Sequence, residues 1–116
     1  MVGNNPSMNP VVIVHFSAAL LAIAAAVPLM RGMVKRNPWY GVRIPAAFES
    51  EERWLVLNRY GGRLIFRWGL CLAATALVGS LLKRSVWVAY DWAALAVVMG
   101  GLGLVVVLIY RHASEK

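Results

Sequence analysis

Residues 37–63 read NPWYGVRIPAAFESEERWLVLNRYGGR. This is the long polar stretch of the chain, and hydrophobic runs bracket it on both sides. It carries seven formal charges, on Arg43, Glu49, Glu51, Glu52, Arg53, Arg59 and Arg63. A polar segment between apolar runs of spanning length is a connection between membrane helices, so this stretch sets the architecture. Asn37-Pro38 and Ile44-Pro45 each hold the residue before proline in extended geometry. Ser50 suits a helix N-cap, with Glu51 and Glu52 behind it where the helix dipole favours negative charge. A short interfacial helix is predicted from about Glu51 to Tyr60, only moderately amphipathic because Leu55 interrupts its polar side. Gly61-Gly62 then offers a bend.

Residues 11–30 form the first apolar run and contain no Asp, Glu, Lys or Arg. At about 1.5 Å per residue, twenty residues cross the roughly 30 Å hydrocarbon core of a bilayer. Pro10 fits a first helical turn, and Pro28 is expected to kink or end the helix. Ala24-Ala25-Ala26 resembles a signal-peptide cleavage site, but no basic residue precedes the run, which favours a retained span. Residues 64–82 form the second run, with Arg67 inside it. Its small residues, at spacings such as Gly69/Ala73 and Ala76/Ser80, suit close helix contact. Residues 86–110 form the third run and carry Asp91. The link Lys83-Arg84-Ser85 is short enough to force an antiparallel helical hairpin. Open strand edges have no place in lipid. The predicted fold is therefore all-α, a single domain over 1–116 with three transmembrane helices (11–30, 64–82, 86–110), the interfacial helix lying in the 31–63 loop.

Composition agrees. The chain is 60% hydrophobic, with a mean hydropathy of +0.65. Twelve basic residues face five acidic ones, a net charge of +7. In a soluble protein that balance would suggest nucleic acid. Here the cations cluster at the ends of apolar runs, so membrane topology explains them and no nucleic-acid partner is expected. The loop, the C-terminal tail and nearby Arg67 hold ten Lys and Arg residues, against Lys83 and Arg84 on the other side. This predicts a multi-pass protein of a bacterial cell (inner) membrane, with the loop and C-terminus in the cytoplasm and the N-terminus outside.

The sequence holds no Walker loop, CxxC, HExxH or serine nucleophile elbow, so no catalytic residue, metal site or cofactor is expected. Four helices and a deep acid in the first would mark a small multidrug transporter; this chain has three runs and no such acid. Cys71 stands alone and cannot form an intrachain disulfide. Arg59, Arg63 and Arg67 recur every fourth residue and so share one helix face. Arg67, a turn inside the apolar run, must snorkel or pair. Glu51 and Glu52 are the expected partners if the interfacial helix folds back under the bundle. His15 and Asp91 lie at similar depth at the outer side. They either meet there, or Asp91 reaches Lys83, Arg84 or water.

Three elements of the loop carry a resemblance. They are Gly41-Val42-Arg43-Ile44-Pro45, Ser50-Glu51-Glu52-Arg53-Trp54 and Asn58-Arg59-Tyr60-Gly61-Gly62-Arg63. In this order and spacing they resemble the SdpI family of bacterial membrane proteins. The resemblance implies a multi-pass, non-enzymatic protein of toxin (bacteriocin) immunity or envelope-stress signalling. It carries over Gly41, Arg43, Pro45, Ser50, Glu51, Glu52, Trp54, Asn58, Arg59, Gly62 and Arg63 as the functional loop. The expected partners are membrane lipid, a toxin peptide or a cytosolic regulator, and a second copy of the chain. Two other classes stay open: a membrane enzyme or lipid-handling protein with a polar site at the inner leaflet, and a structural subunit of a membrane complex.

Overall fold

A computed structural model describes residues 8–115. Among them lie three long helices, α1 (Pro10–Met30), α2 (Glu51–Ser80) and α3 (Trp87–Ser114), with single 3-10 turns at Pro45–Phe48 and Arg84–Val86. No strand occurs among the described residues. All three helices are long and apolar enough to cross a membrane.

Each helix end has a local cause. Asn9 caps α1, its Oδ1 accepting from the Val11 N–H at 3.0 Å, and Pro10 takes the first helical position. Pro28 is accommodated inside the last turn. The helix ends at Met30, and Gly32 beyond it closes the cap with a φ of +69° that favours glycine. The Gly32 N–H donates to Leu29 O and the Met33 N–H to Pro28 O, at 3.1 and 3.0 Å, the two bonds of a Schellman cap. Ser50 caps α2, its side chain accepting from the Arg53 N–H at 3.0 Å.

The structure corrects one expectation about this helix. Residues 51–60 do not form a separate interfacial helix; they are the first turns of α2, which runs unbroken to Ser80. Thirty residues make about 45 Å of helix, roughly 15 Å more than the hydrocarbon core. The surplus is the polar first third, which therefore projects from the membrane. Gly61 and Gly62 make no bend. They let neighbours approach: a Cβ on Gly61 would stand 2.5 Å from Val42 Cγ2, and one on Gly62 2.9 Å from the backbone nitrogen of Met30.

Helices α1 and α2 pack antiparallel along a narrow seam. The buried residues of α1 are Val12, His15, Ala19, Ala22, Ala26 and Leu29, an alternating three-four spacing that keeps one stripe facing a partner helix. Gly62, Gly69, Leu72, Ala76 and Gly79 answer from α2. Small side chains suit this seam, because helices in lipid associate through close packing and not through exclusion of water. The expected Gly69/Ala73 and Ala76/Ser80 spacings are not the ones used, since Ala73 is half-buried and Ser80 exposed.

Helix α3 lies antiparallel to α2 and touches it at intervals. Tyr90 closes over Gly79, its hydroxyl donating to Thr75 O at 2.7 Å. Trp68 of α2 fits against Gly101 of α3. Ile109 packs with Val42 and Val105 at the loop end. Elsewhere α3 presents Val88, Trp92, Leu95, Met99 and Val107 outward, as a helix against lipid does.

Candidate functional site

The loop between α1 and α2 folds over the projecting turns of α2, and side chains of the motif hold it there. Asn37 makes a tight turn: its Oδ1 accepts from the Trp39 and Tyr40 N–H groups at 2.8 and 2.7 Å. Its Nδ2 donates to Lys35 O and Tyr40 O. The Tyr40 hydroxyl then donates to Ala25 O within α1. Burial raises the pKa of this hydroxyl above the ordinary 10.0.

Gly41 follows with φ +114°, a conformation open to glycine. A Cβ there would stand 2.6 Å from Asn58 Oδ1. Asn58 is 2% exposed and uses both ends of its amide. Its oxygen accepts from the Val42 N–H at 2.6 Å, and its nitrogen donates to Trp54 O at 2.9 Å and Val42 O at 3.3 Å. Trp54, 1% exposed, donates its indole N–H to Val34 O at 2.8 Å and packs against Phe48. Ala47, Leu57 and Ala113 complete this small core.

Charged residues tie the outside together. Arg36 reaches Glu51 at 3.1 Å and donates to Phe48 O at 3.2 Å. Arg53 lies 3.7 Å from Glu49 and donates to Ala113 O at 2.7 Å, linking α2 to the end of α3. Arg43 is exposed and donates to Pro38 O at 2.6 Å. Tyr60 stacks on His112 with ring centroids 3.9 Å apart, and His112 faces Glu115.

The motif residues thus fall into two groups. Ser50, Glu51, Trp54 and Asn58 are turned onto backbone or onto Arg36. Glu52, Arg59 and Arg63 are exposed, as is Arg67 one turn beyond the motif. The guanidinium of Arg59 lies over the end of α1, where a Cβ on Gly32 would stand 2.5 Å from Nη2. Among the described residues, Arg59, Arg63 and Arg67 meet no carboxylate within 4.0 Å, whereas Glu51 pairs with Arg36. The expected pairing of Arg63 or Arg67 with Glu51 or Glu52 does not occur. A continuous helix puts Arg67 fifteen residues beyond Glu52, about 22 Å along the axis. The chain does not fold back.

At the opposite, hairpin end, His15 is buried, with Nε2 3.3 Å from Ala94 O and Nδ1 3.0 Å from Val11 O. Asp91 accepts from Asn9 Nδ2 at 2.9 Å. His15 and Asp91 line one groove, but among the described residues neither Lys83 nor Arg84 pairs with Asp91. The described residues hold no group of three His, Cys, Asp or Glu side chains placed for a metal. The positioning roles of Asn37, Tyr40 and Arg36 are not legible in the sequence pattern alone. Asn37-Pro38 was the available signal, as a short polar side chain at a turn bonds its own backbone.

Three spanning helices with a clamped polar loop at one end define a membrane-embedded helical protein. The model of the SdpI/YfhL protein family matches residues 33–111, and the chain belongs to that family. The match begins just beyond the glycine cap of α1 and takes in the loop, α2 and nearly all of α3. No curated protein and no solved structure matches the chain.

Proposed function

We propose that this protein is a non-enzymatic recognition protein that acts through its loop end, in toxin (bacteriocin) immunity or envelope-stress signalling. One observation carries the reading: the loop is held by Asn37, Asn58, Trp54 and Arg36, while Arg43, Arg59 and Arg63 stay exposed on its surface. Fixed shape with outward guanidinium groups suits binding of an anionic or carbonyl-rich partner by charge-assisted hydrogen bonds. The partner would be a toxin peptide, a cytosolic regulator or a membrane lipid. Membership of the SdpI/YfhL family supports the same reading. The excess of basic residues at this end favours its lying in the cytoplasm.

The test is a challenge experiment. Cells lacking the gene, and cells carrying wild-type or variant copies, are exposed to secreted killing peptides while envelope-stress reporters are read. Arg43→Ala combined with Arg59→Ala removes two exposed cations, and with them the Arg43–Pro38 bond, while leaving the buried clamp of Asn58 and Trp54 in place. Protection or signalling should be lost at normal membrane levels of the protein. His15→Ala and Asp91→Asn, at the hairpin end, form the comparison set. If that pair proves essential and the loop variant behaves as wild type, the active surface is the hairpin end and the loop is scaffold.

A further inference from the structure

Between α2 and α3, on the side away from α1, runs an apolar groove of about 320 Å³. Leu64, Trp68 and Cys71 of α2 face Val97 and Leu104 of α3 across it, and Arg67 stands at its edge. The indole nitrogen of Trp68 is enclosed without a partner, shut against Gly101. Apart from the Cys71 thiol, Arg67 is therefore the polar group this groove offers.

The arginine row gives the groove its charge. Arg59, Arg63 and Arg67 are all exposed and succeed one another every fourth residue, so each stands about one helical turn from the next, a repulsive arrangement for like charges. The row crosses the outer face of α2, from Arg59 over the end of α1 to Arg67 at the groove. Neighbouring acids are engaged elsewhere: Glu51 with Arg36, Glu49 with Arg53, and Glu115 with His112. Glu52 lies eleven residues before Arg63, about 16 Å along the axis. Arg67 also sits one turn inside the apolar stretch, where an uncompensated charge is costly.

We propose that this groove is a binding site for an anionic phospholipid, with one acyl chain along the Leu64–Cys71 wall and the phosphate held between Arg63 and Arg67. The two halves of that ligand match the two halves of the site. A chain fills an apolar cleft that opens to the membrane, and a phosphate takes the two guanidinium groups, which no carboxylate of the described residues approaches within 4.0 Å. A zwitterionic lipid supplies the chain but less net charge, and a free phosphate supplies the charge without the chain. The site shares Arg63 with the loop motif but is lined by α2 and α3 and involves neither Arg43 nor Arg59, so its failure in the following binding assay would leave the loop reading standing.

Cys71 provides a native reporter, because it lines the groove and is exposed. The purified full chain in mild detergent is titrated with phosphatidylglycerol, phosphatidylcholine or inorganic phosphate. Native mass spectrometry counts retained lipid, and the rate of maleimide addition to Cys71 reports where it sits. Phosphatidylglycerol should be retained about fivefold better than phosphatidylcholine, as expected for roughly one effective arginine contact, and should slow Cys71 labelling. Arg67→Gln should bring the two lipids level. Val97→Trp should fill the groove from α3 and lose retention with the arginines intact, which keeps the test valid if Arg67→Gln folds poorly. Lys83→Gln, at the hairpin end, should change nothing. Equal retention of both lipids by the wild type, or an undiminished preference in both groove variants, overturns the proposal. Protection of Cys71 by inorganic phosphate alone overturns it too, since the ligand would then be a soluble anion.

Discussion

Asn58 shows how much of this loop depends on single side chains. It sits in the third turn of α2, buried, and takes the Val42 N–H, the Val42 carbonyl and the Trp54 carbonyl. Asn58→Ala would leave a buried backbone donor with nothing to bond, and an unmet buried group costs about 1–3 kcal/mol. A loss of about 2–3 kcal/mol in detergent melting is expected, with amide exchange at Val42 rising before the rest of the protein unfolds. Unchanged exchange at Val42 would mean that the loop is held from elsewhere. Tyr40 gives a pH-dependent counterpart. Its hydroxyl donates to Ala25 O, and burial raises its pKa above 10.0. A folded pKa raised above the unfolded value contributes stability that is present below about pH 10 and is lost as pH climbs through the folded value. Melting of the wild type should therefore fall above that pH by more than melting of Tyr40→Phe, while at neutral pH the variant is the weaker. Arginines stay charged throughout, so the difference between the two proteins isolates the tyrosine.

At the scale of the helix, glycine has two separate uses. Gly62 lies where α2 meets the last turn of α1, and a Cβ would press to 2.9 Å on both Leu29 Cβ and the Met30 nitrogen. Gly103 meets nothing within 4 Å. Gly62→Ala should therefore cost about 1–3 kcal/mol by overpacking, whereas Gly103→Ala should be neutral or gain up to about 1 kcal/mol from helix propensity. Thermal denaturation of the two variants in one detergent checks the contrast, and equal effects would show that the α1–α2 seam yields. The same glycines mark what the sequence made legible. Length and hydropathy revealed three spans, and Ser50, Glu51 and Pro10 announced the helix starts, because caps and first turns are local chemistry. Gly61-Gly62 looked like a bend, since glycine loosens a chain and equally admits a neighbour. Which use applies depends on Val42, Met30 and Ile109, none of them near in sequence except through the fold. The pairing expected of Arg67 failed with that bend, as it required residues 51–60 to turn back. Roles within the loop were harder to read, since Asn58 and Arg59 are adjacent and equally polar, yet one is buried and the other exposed.

Across the whole molecule the dominant asymmetry is charge. The loop end gathers Arg31, Lys35, Arg36, Arg43, Arg53, Arg59, Arg63, Arg67 and Arg111, with Lys116 beyond, whereas the hairpin end has Lys83 and Arg84. Only Arg36 and Arg53 among them lie within 4.0 Å of an acid side chain in the described residues. Cations near the ends of spans resist translocation, so the end richer in them is expected to stay in the cytoplasm. Two further features belong to this end, whichever side it faces. The unbroken α2 carries its charged first third beyond the hydrocarbon, and the loop is folded tightly against it. A cysteine at Trp39, the most exposed aromatic of the loop at 85%, and one at the exposed Ser85 of the hairpin are placed singly in a Cys71→Ser background. In intact cells an impermeant thiol reagent should label the Ser85→Cys protein and spare the Trp39→Cys protein. After permeabilisation both should react. Labelling of the loop cysteine alone in intact cells reverses the orientation, and with it the leaflet whose anionic lipids face Arg63 and Arg67. Labelling of both in every molecule would mean that α2 does not span the membrane. The arginine row would then face water along its length, and the cost that makes Arg67 seek an anion would vanish.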